Sequence, residues 1–467
     1  MKSVLVGNGL DIQFGGSAYT NEYIIQRIIC KMNLGLYYPL YKENSSYEQS
    51  SLIKIFNGLF GFANKLLKDE IKIDIDENRL YNLNNLKNRY KNKKITINNL
   101  MLEDWFLFIS IYCFIYKDTS EISMKQNFNA FFLDSILNQG KIQQLYEKMP
   151  RSLKNYFTSF DSIFTLNYDN NLEHLTNKTV YHLHGAFDIP YDTENIQNVR
   201  GDISKSENKI MTVPGFEHCF CNVLLDNEGR NKYFAAKNSE NIIENLELMA
   251  KEGKLLDFLN YSKNKTTDDA IKIIETKIEH PELRMANDYH FKDFENIVDE
   301  IYIIGISPYN DEHIFNIIEN NKNLNKVIYY YYSEEEKKYI EENFSNKFEC
   351  REVQKLWTEL NCKKPKYNCV YDSYILNFLN NIRKLVGENG LKKIYINQEL
   401  SLLKTRLKNT PQFELKRLNE EVLKIDQSRE SKYIEYEFLA AQEGYPVIVL
   451  YFAVFYFNDM SKEKSPT

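Results

Sequence analysis

The chain has 467 residues with 59 Lys+Arg against 65 Asp+Glu, a net charge of −6 and a pI near 5.8. Its length suits two or three folding units at roughly 150 residues each, and the acidic balance argues against a dedicated nucleic-acid binder. An aromatic content of 14% excludes extended disorder.

The seven cysteines (Cys30, Cys113, Cys219, Cys221, Cys350, Cys362, Cys369) are scattered and odd in number. Such a chain is too long to need a disulfide framework, so a reducing, cytoplasmic setting is expected. The longest apolar run, Val447 to Phe457, has 11 residues, short of the roughly 18–20 needed to span a bilayer. It is expected to be buried core or an interface, and no membrane partner is expected.

The first element is a short apolar strand, Ser3 to Val6, which ends in the tight turn Gly7-Asn8-Gly9. Glu22 to Met32 reads as helix. From about 45 to 155 the pattern is mostly helical: Leu52 to Leu67 has a 3.6-residue apolar period, and Asp104 to Tyr116 is apolar on nearly all faces, as in a buried helix. Lys72 to Lys94 reads as loop or exposed helix. Further strands are expected at Ser162 to Leu166, Val180 to Leu183, Ile301 to Ile306 and Val327 to Tyr332, with helices at Asp311 to Glu319 and Glu334 to Glu342. Between about 190 and 295 no strand is evident, while Ser239 to Lys251 and Asp268 to Thr276 read as helices.

Strands alternating with helices predict an α/β fold, a Rossmann-like, mainly parallel sheet over residues 1–345 with helical insertions at about 45–155 and 190–295. Residues 350–467 are expected to form a separate, mostly helical unit, with helices at Ser373 to Val386, Asn397 to Lys408 and Phe413 to Lys424.

Four polar clusters fall at strand ends, where open α/β sheets bind ligands. Gly7-Asn8-Gly9 lets backbone N–H groups approach a phosphate, or is a tight turn without a ligand. A dehydrogenase fingerprint would need glycine at Ile12, which removes the hydride-transfer reading. Thr165-Leu166-Asn167-Tyr168-Asp169 offers the Asn167 amide, or a turn-forming Asx residue. In His182-Leu183-His184-Gly185, strand alternation sends both histidines to one face and Gly185 permits a sharp exit. Gly305-Ile306-Ser307-Pro308, with Asp311 and His313, ends another strand and is expected to complete a nucleotide pocket.

In this order the four clusters resemble the motifs of the sirtuin superfamily: its glycine loop, its T(Q/N)N(I/Y)D segment, its histidine motif and its late GxS segment. The likeness is strongest to sirtuin-like domains of bacterial antiphage defence proteins and to the abortive-infection AbiH family, whose opening GNGxD is matched by Gly7, Asn8, Gly9 and Asp11. The resemblance implies an NAD hydrolase that releases ADP-ribose and nicotinamide and defends by NAD depletion. It assigns Asn167 and His184 to catalysis, Asn167 positioning a water and His184 acting as general base. Gly7, Asn8, Gly9, Asp11, Thr165, Asp169, Gly305 and Ser307 would bind NAD, with Asp169 fixing its loop and His182 orienting its neighbour. Control by self-assembly, an activating protein or a nucleotide signal is implied as well. The alternatives are a nucleotide-binding module without turnover and an ADP-ribosyltransferase.

Departures from the pattern are Asp11 where sirtuins carry serine, and Ser17-Ala18-Tyr19-Thr20 in place of the loop's terminal Phe-Arg. Asp11 would cap its helix or bind a ribose hydroxyl. The paired CxxC motifs of the structural zinc are missing. Cys219 and Cys221, beside His218, are one residue apart, and no metal is expected.

Overall fold

The computed structural model describes residues 1–33, 37–41, 49–189 without 92, 94, 98 and 99, 198–200, 209–279 without 212, 226–228 and 263–267, 288–364, 393–395, 433–438 and 450–455. The chain divides into two compact units, one of residues 1–19, 37–92 and 101–365, the other of 20–36, 93–100 and 366–467.

The first unit is built on a six-stranded, wholly parallel sheet. In chain order its strands are β1 (Lys2–Val6), β2 (Ser162–Thr165), β3 (Val180–His182), β4 (Asp299–Ile304), β5 (Leu324–Tyr331) and β6 (Phe348–Glu352), and in space they run β3-β2-β1-β4-β5-β6. This is the doubly wound, Rossmann-like order, with its topological switch between β1 and β4. Leu5 registers with Phe164 on one side and Ile303 on the other, and Ile303 with Tyr329, so one row of large side chains crosses the sheet. Phe291, Phe294, Ile314 and Phe315 cover that row. On the opposite face Val4, Val6 and Ile163 are equally buried. A sheet buried on both faces explains why its central strands read as continuous apolar runs. In the tyrosine run, Tyr329 and Tyr330 are core, whereas Tyr332 is 75% exposed.

Two features differ from the sequence expectation. β6, of sequence FECRE, extends the sheet beyond residue 345; as an edge strand with half-solvated alternation it shows no apolar run. The segment 190–295 contains a short antiparallel pair, Asn198–Arg200 with Lys209–Met211, besides its helices Gly229–Lys251, Leu255–Ser262 and Asp268–Glu279. The 45–155 segment is helical as expected, including Gln49–Leu67, Glu77–Tyr90, Asp104–Tyr116 and Glu121–Leu137.

In the second unit Asn21–Asn33 is a helix, and the Asn21 amide donates to the Leu100 carbonyl at 2.7 Å. Its other described elements form a three-stranded antiparallel sheet, Tyr433–Phe438 and Lys393–Tyr395 flanking Leu450–Phe455. The core of the apolar run at 447–457 is therefore a strand. The three helices expected between 373 and 424 lie outside the described residues. Among the described residues no helix is long and apolar enough to cross a membrane.

Candidate functional site

The turn after β1 and the exit of β4 meet backbone to backbone. Gly7 N–H donates to the Ile304 carbonyl and Gly9 N–H to the Gly305 carbonyl, both at 2.9 Å. A Cβ on Gly9 would stand 2.4 Å from the Gly305 Cα, and Gly305 has φ +72°. Both glycines are thus required by the contact between the two turns. Leu10 and Ile12 N–H bond the Gly7 and Asn8 carbonyls, so four of the turn's donors are used within the protein. The Asn8 amide donates to the Tyr19 carbonyl at 2.8 Å, and Ser307 offers its carbonyl to the Asn310 and Asp311 N–H groups.

Asp11 belongs to the first turn of helix Gly9–Gly15 and is 2% exposed. It neither caps that helix nor faces solvent. Its carboxyl meets Asp169, and burial, then the Asp169 charge and the hydrogen bond to it, hold Asp11 well above the usual carboxylate range. Two buried carboxyls in contact retain one proton between them. Asp169 is anchored from its other oxygen, which accepts the Asn171 backbone N–H at 3.0 Å and the Asn171 amide. Thr165 completes this corner: its hydroxyl donates to the Val6 carbonyl at 3.1 Å and accepts the Asn167 N–H at 3.0 Å.

The two histidines of the β3 end part company, because strand pairing stops at His182 and the chain turns before Gly185. Gly185 has φ +81°, and a Cβ there would lie 2.4 Å from the Asn222 carbonyl oxygen. His182 Nδ1 pairs with the Asn167 carbonyl at 2.8 Å and Nε2 with Glu173 at 2.7 Å. His182 therefore orients Asn167 and not His184. The Asn167 side-chain amide, in a residue only 7% exposed, has no hydrogen-bond partner among the described residues.

His184, 3% exposed, meets His313 from the helix after β4, with the Nε2 atoms 3.3 Å apart, ring centroids at 5.4 Å and planes 15° apart. The rings face each other through their Nε2 edges. Burial, then Lys232 and His313, hold His184 well below the ordinary imidazole range, and burial with Lys232 brings His313 down to about 3. Both rings are neutral at physiological pH and weak proton acceptors.

Asp311 stands beside them, half-buried. Burial pushes its carboxyl up to about 7, against the pull of Lys232. Lys232 Nζ is bonded to Glu103 at 3.1 Å; burial lowers its pKa, but Tyr168, Glu103 and Asp311 together hold it above the ordinary lysine value.

Glu103 and Lys232 come from the two insertions and were absent from the sequence reading. Nothing in the chain marks them, since an isolated Glu and an isolated Lys are ordinary surface residues until folding buries them. The pairing of His184 with His313 was equally hidden, although both lie at strand ends. By contrast, His218 pairs with Asp134 at 3.1 Å and the Cys219 thiol with the Ala130 carbonyl. Among the described residues His184, Asp311 and His313 are the one group of three metal-ligating side chains, with one donor atom from each all within 4.8 Å.

At the Asp11 corner, Asp11 Oδ1 and Asp169 Oδ2 are buried without a hydrogen-bond partner, so beyond Asn171 and Thr165 it depends on the proton the two carboxyls share, whereas the Asn167 amide and the Asp311 carboxylate form no hydrogen bond with any described residue. Comparison of the chain with protein-family models, with curated proteins and with solved structures finds no match.

Proposed function

We propose that the chain binds NAD at the carboxyl ends of β1 to β4 and hydrolyses its nicotinamide–ribose bond. The observation that carries this reading is the unpartnered Asn167 amide at the end of β2, next to the topological switch of a doubly wound sheet, where such sheets take dinucleotides. It is supported by the resemblance of the four strand-end clusters to sirtuin-like defence domains.

In this reading Asn167, held by His182 through its own carbonyl, orients water or the nicotinamide ribose. Breaking the C–N bond develops oxocarbenium character, which fixed polar groups stabilise. His184 hydrogen-bonds a ribose hydroxyl as a neutral imidazole. The reading extends to NAD depletion in antiphage defence, controlled by assembly or an activating partner.

A second reading, nucleotide binding without turnover, is favoured by the weak proton affinity of His184. One experiment separates them: the full chain is incubated with NAD, nicotinamide is measured by chromatography and affinity by calorimetry. Release of nicotinamide that falls roughly 10²-fold in Asn167→Ala supports hydrolysis. Binding without release, by the chain alone and in the presence of the proteins encoded beside it, supports the second reading, and neither binding nor release under both conditions removes both.

A further inference from the structure

We propose that His184, Asp311 and His313 form a binding site for a divalent transition-metal ion of the zinc type, open at one coordination position. The sequence motifs lead to no expected metal, and the inference rests on the cluster itself, independently of whether NAD is the substrate.

The spacing is the first argument. Two imidazole nitrogens about 2.0–2.1 Å from a tetrahedral zinc ion stand about 3.3–3.4 Å apart. The Nε2 atoms of His184 and His313 are 3.3 Å apart, and a donor atom of Asp311 lies within 4.8 Å of both. Binding would turn each ring so that both lone pairs point at a common ion instead of at each other. Two imidazoles and a carboxylate suit zinc and its neighbours and disfavour calcium and magnesium, which take oxygen ligands.

The second argument is that the two Nε2 atoms are paired only with each other and the rest of the cluster has no partner among the described residues. His313 is 8% exposed, yet its Nδ1 has no hydrogen-bond partner. The Asp311 carboxylate forms no hydrogen bond or ion pair with any described residue. Buried polar groups ordinarily find hydrogen-bond partners within the protein.

The third is electrostatic. Lys232 opposes a cation, but its ammonium is held by Glu103 at 3.1 Å, so this pair is near neutral and Asp311 supplies a negative charge to the ion. Three protein ligands with a fourth position open is the pattern of zinc sites that bind water or substrate. The ligands come from the ends of β3 and β4, so that position faces the same end of the sheet as Asn167.

The test uses the full chain, stripped with a chelator, incubated with Zn2+ and freed of excess ion, with metal per chain measured by mass spectrometry and affinity by competition with a chromogenic chelator. The expected result is one ion per chain. His313→Ala and Asp311→Asn should each weaken binding at least about 10-fold to 100-fold, with His182→Ala and Cys219→Ser unchanged. X-ray absorption of the zinc-loaded wild-type chain should show two imidazoles, oxygen donors and no sulfur, a readout that does not depend on any variant folding. Uptake well below one ion per chain, equal affinity in the Asp311→Asn protein, or sulfur in the coordination shell would overturn the proposal. Metal binding without nicotinamide release keeps this inference and removes NAD hydrolysis; the reverse removes this inference alone.

Discussion

Two pairs of like groups are buried at the same end of the sheet, Asp11 with Asp169 on the β1–β2 side and His184 with His313 on the β3–β4 side. Each resolves its conflict differently. The carboxyl pair keeps a proton and is braced by Asn171, while Thr165 ties the adjoining strand ends. The imidazole pair needs no proton to stay neutral, and leaves one ring nitrogen and a neighbouring carboxylate unbonded. Both pairs leave buried polar atoms unbonded, Asp11 Oδ1 and Asp169 Oδ2 in the first and His313 Nδ1 in the second, but only the imidazole pair has a half-buried carboxylate, Asp311, beside it to complete a set of ligating groups. Resemblance to a motif does not draw this distinction, because both pairs lie within the same set of strand-end clusters.

The contact of Gly9 with Gly305 links the two sides, so the largest effect is expected there. Gly9→Val forces the Cβ into backbone that cannot retreat and should cost at least about 3 kcal/mol, measured by urea unfolding. A normally stable Gly9→Val protein that has lost only NAD affinity would make the turn a ligand cradle after all.

Asp169→Ala comes next. It strips the Asn171 N–H of its acceptor and leaves Asp11 buried alone, for an expected loss of about 2–4 kcal/mol. His184→Ala, which leaves no buried backbone donor without its acceptor, should cost less, about 1–2 kcal/mol. If the histidine variant proves the less stable of the two, the contrast between the carboxyl and imidazole pairs fails.

The pH dependence sharpens it further. Unfolded, Asp11 titrates near its ordinary 3.8, whereas the folded pair holds its proton to a higher pH. The resulting stability is fully present below the unfolded value and is lost as pH rises through the folded one. Asp11→Asn keeps a donor toward Asp169 without a titrating proton. Its stability should therefore be less sensitive to rising pH, and thermal unfolding followed as pH rises from the unfolded value should show the variant gaining on wild type by a few degrees. Parallel profiles would mean that the two carboxyls do not share a proton.

The smallest effect belongs to Asn8→Ala, which removes one hydrogen bond to the Tyr19 carbonyl, worth about 1 kcal/mol. Loss of NAD affinity with no change in stability would instead assign Asn8 to the ligand.

What could be read from the sequence divides along physical lines. β1, β2, β4 and β5 were visible because strands covered on both faces are written as short apolar runs, and the helix Glu312–Asn320 because one face carries Ile314, Phe315 and Ile318. β6 was invisible because an edge strand needs only alternate apolar residues, here Phe348 and Cys350. At the site, Asn167, His184 and Asp311 stood out by their place after strands. Their pairings did not: His313, itself marked by its place after β4, lies 129 residues from His184, and Lys232 meets Glu103 only after two insertions fold. Local patterns carry local geometry, and burial of a charge is a property of the assembled fold.

The central position of β1 bears on how the protein is made. This strand pairs with residues 162–165 and 299–304, so the first of the six strands to be synthesised acquires its second neighbour only after some three hundred further residues. At ribosomal speeds of about 5–20 residues per second, roughly 15–60 s pass between the emergence of β1 and that of β4. In that interval β1, β2 and β3 form at most a half-sheet whose β1 edge, with Val4, Leu5 and Val6, is open to pairing with other chains. Nascent chains halted before residue 299 should therefore aggregate or be held by chaperones, and those reaching residue 331 should become soluble as β4 and β5 close the edge.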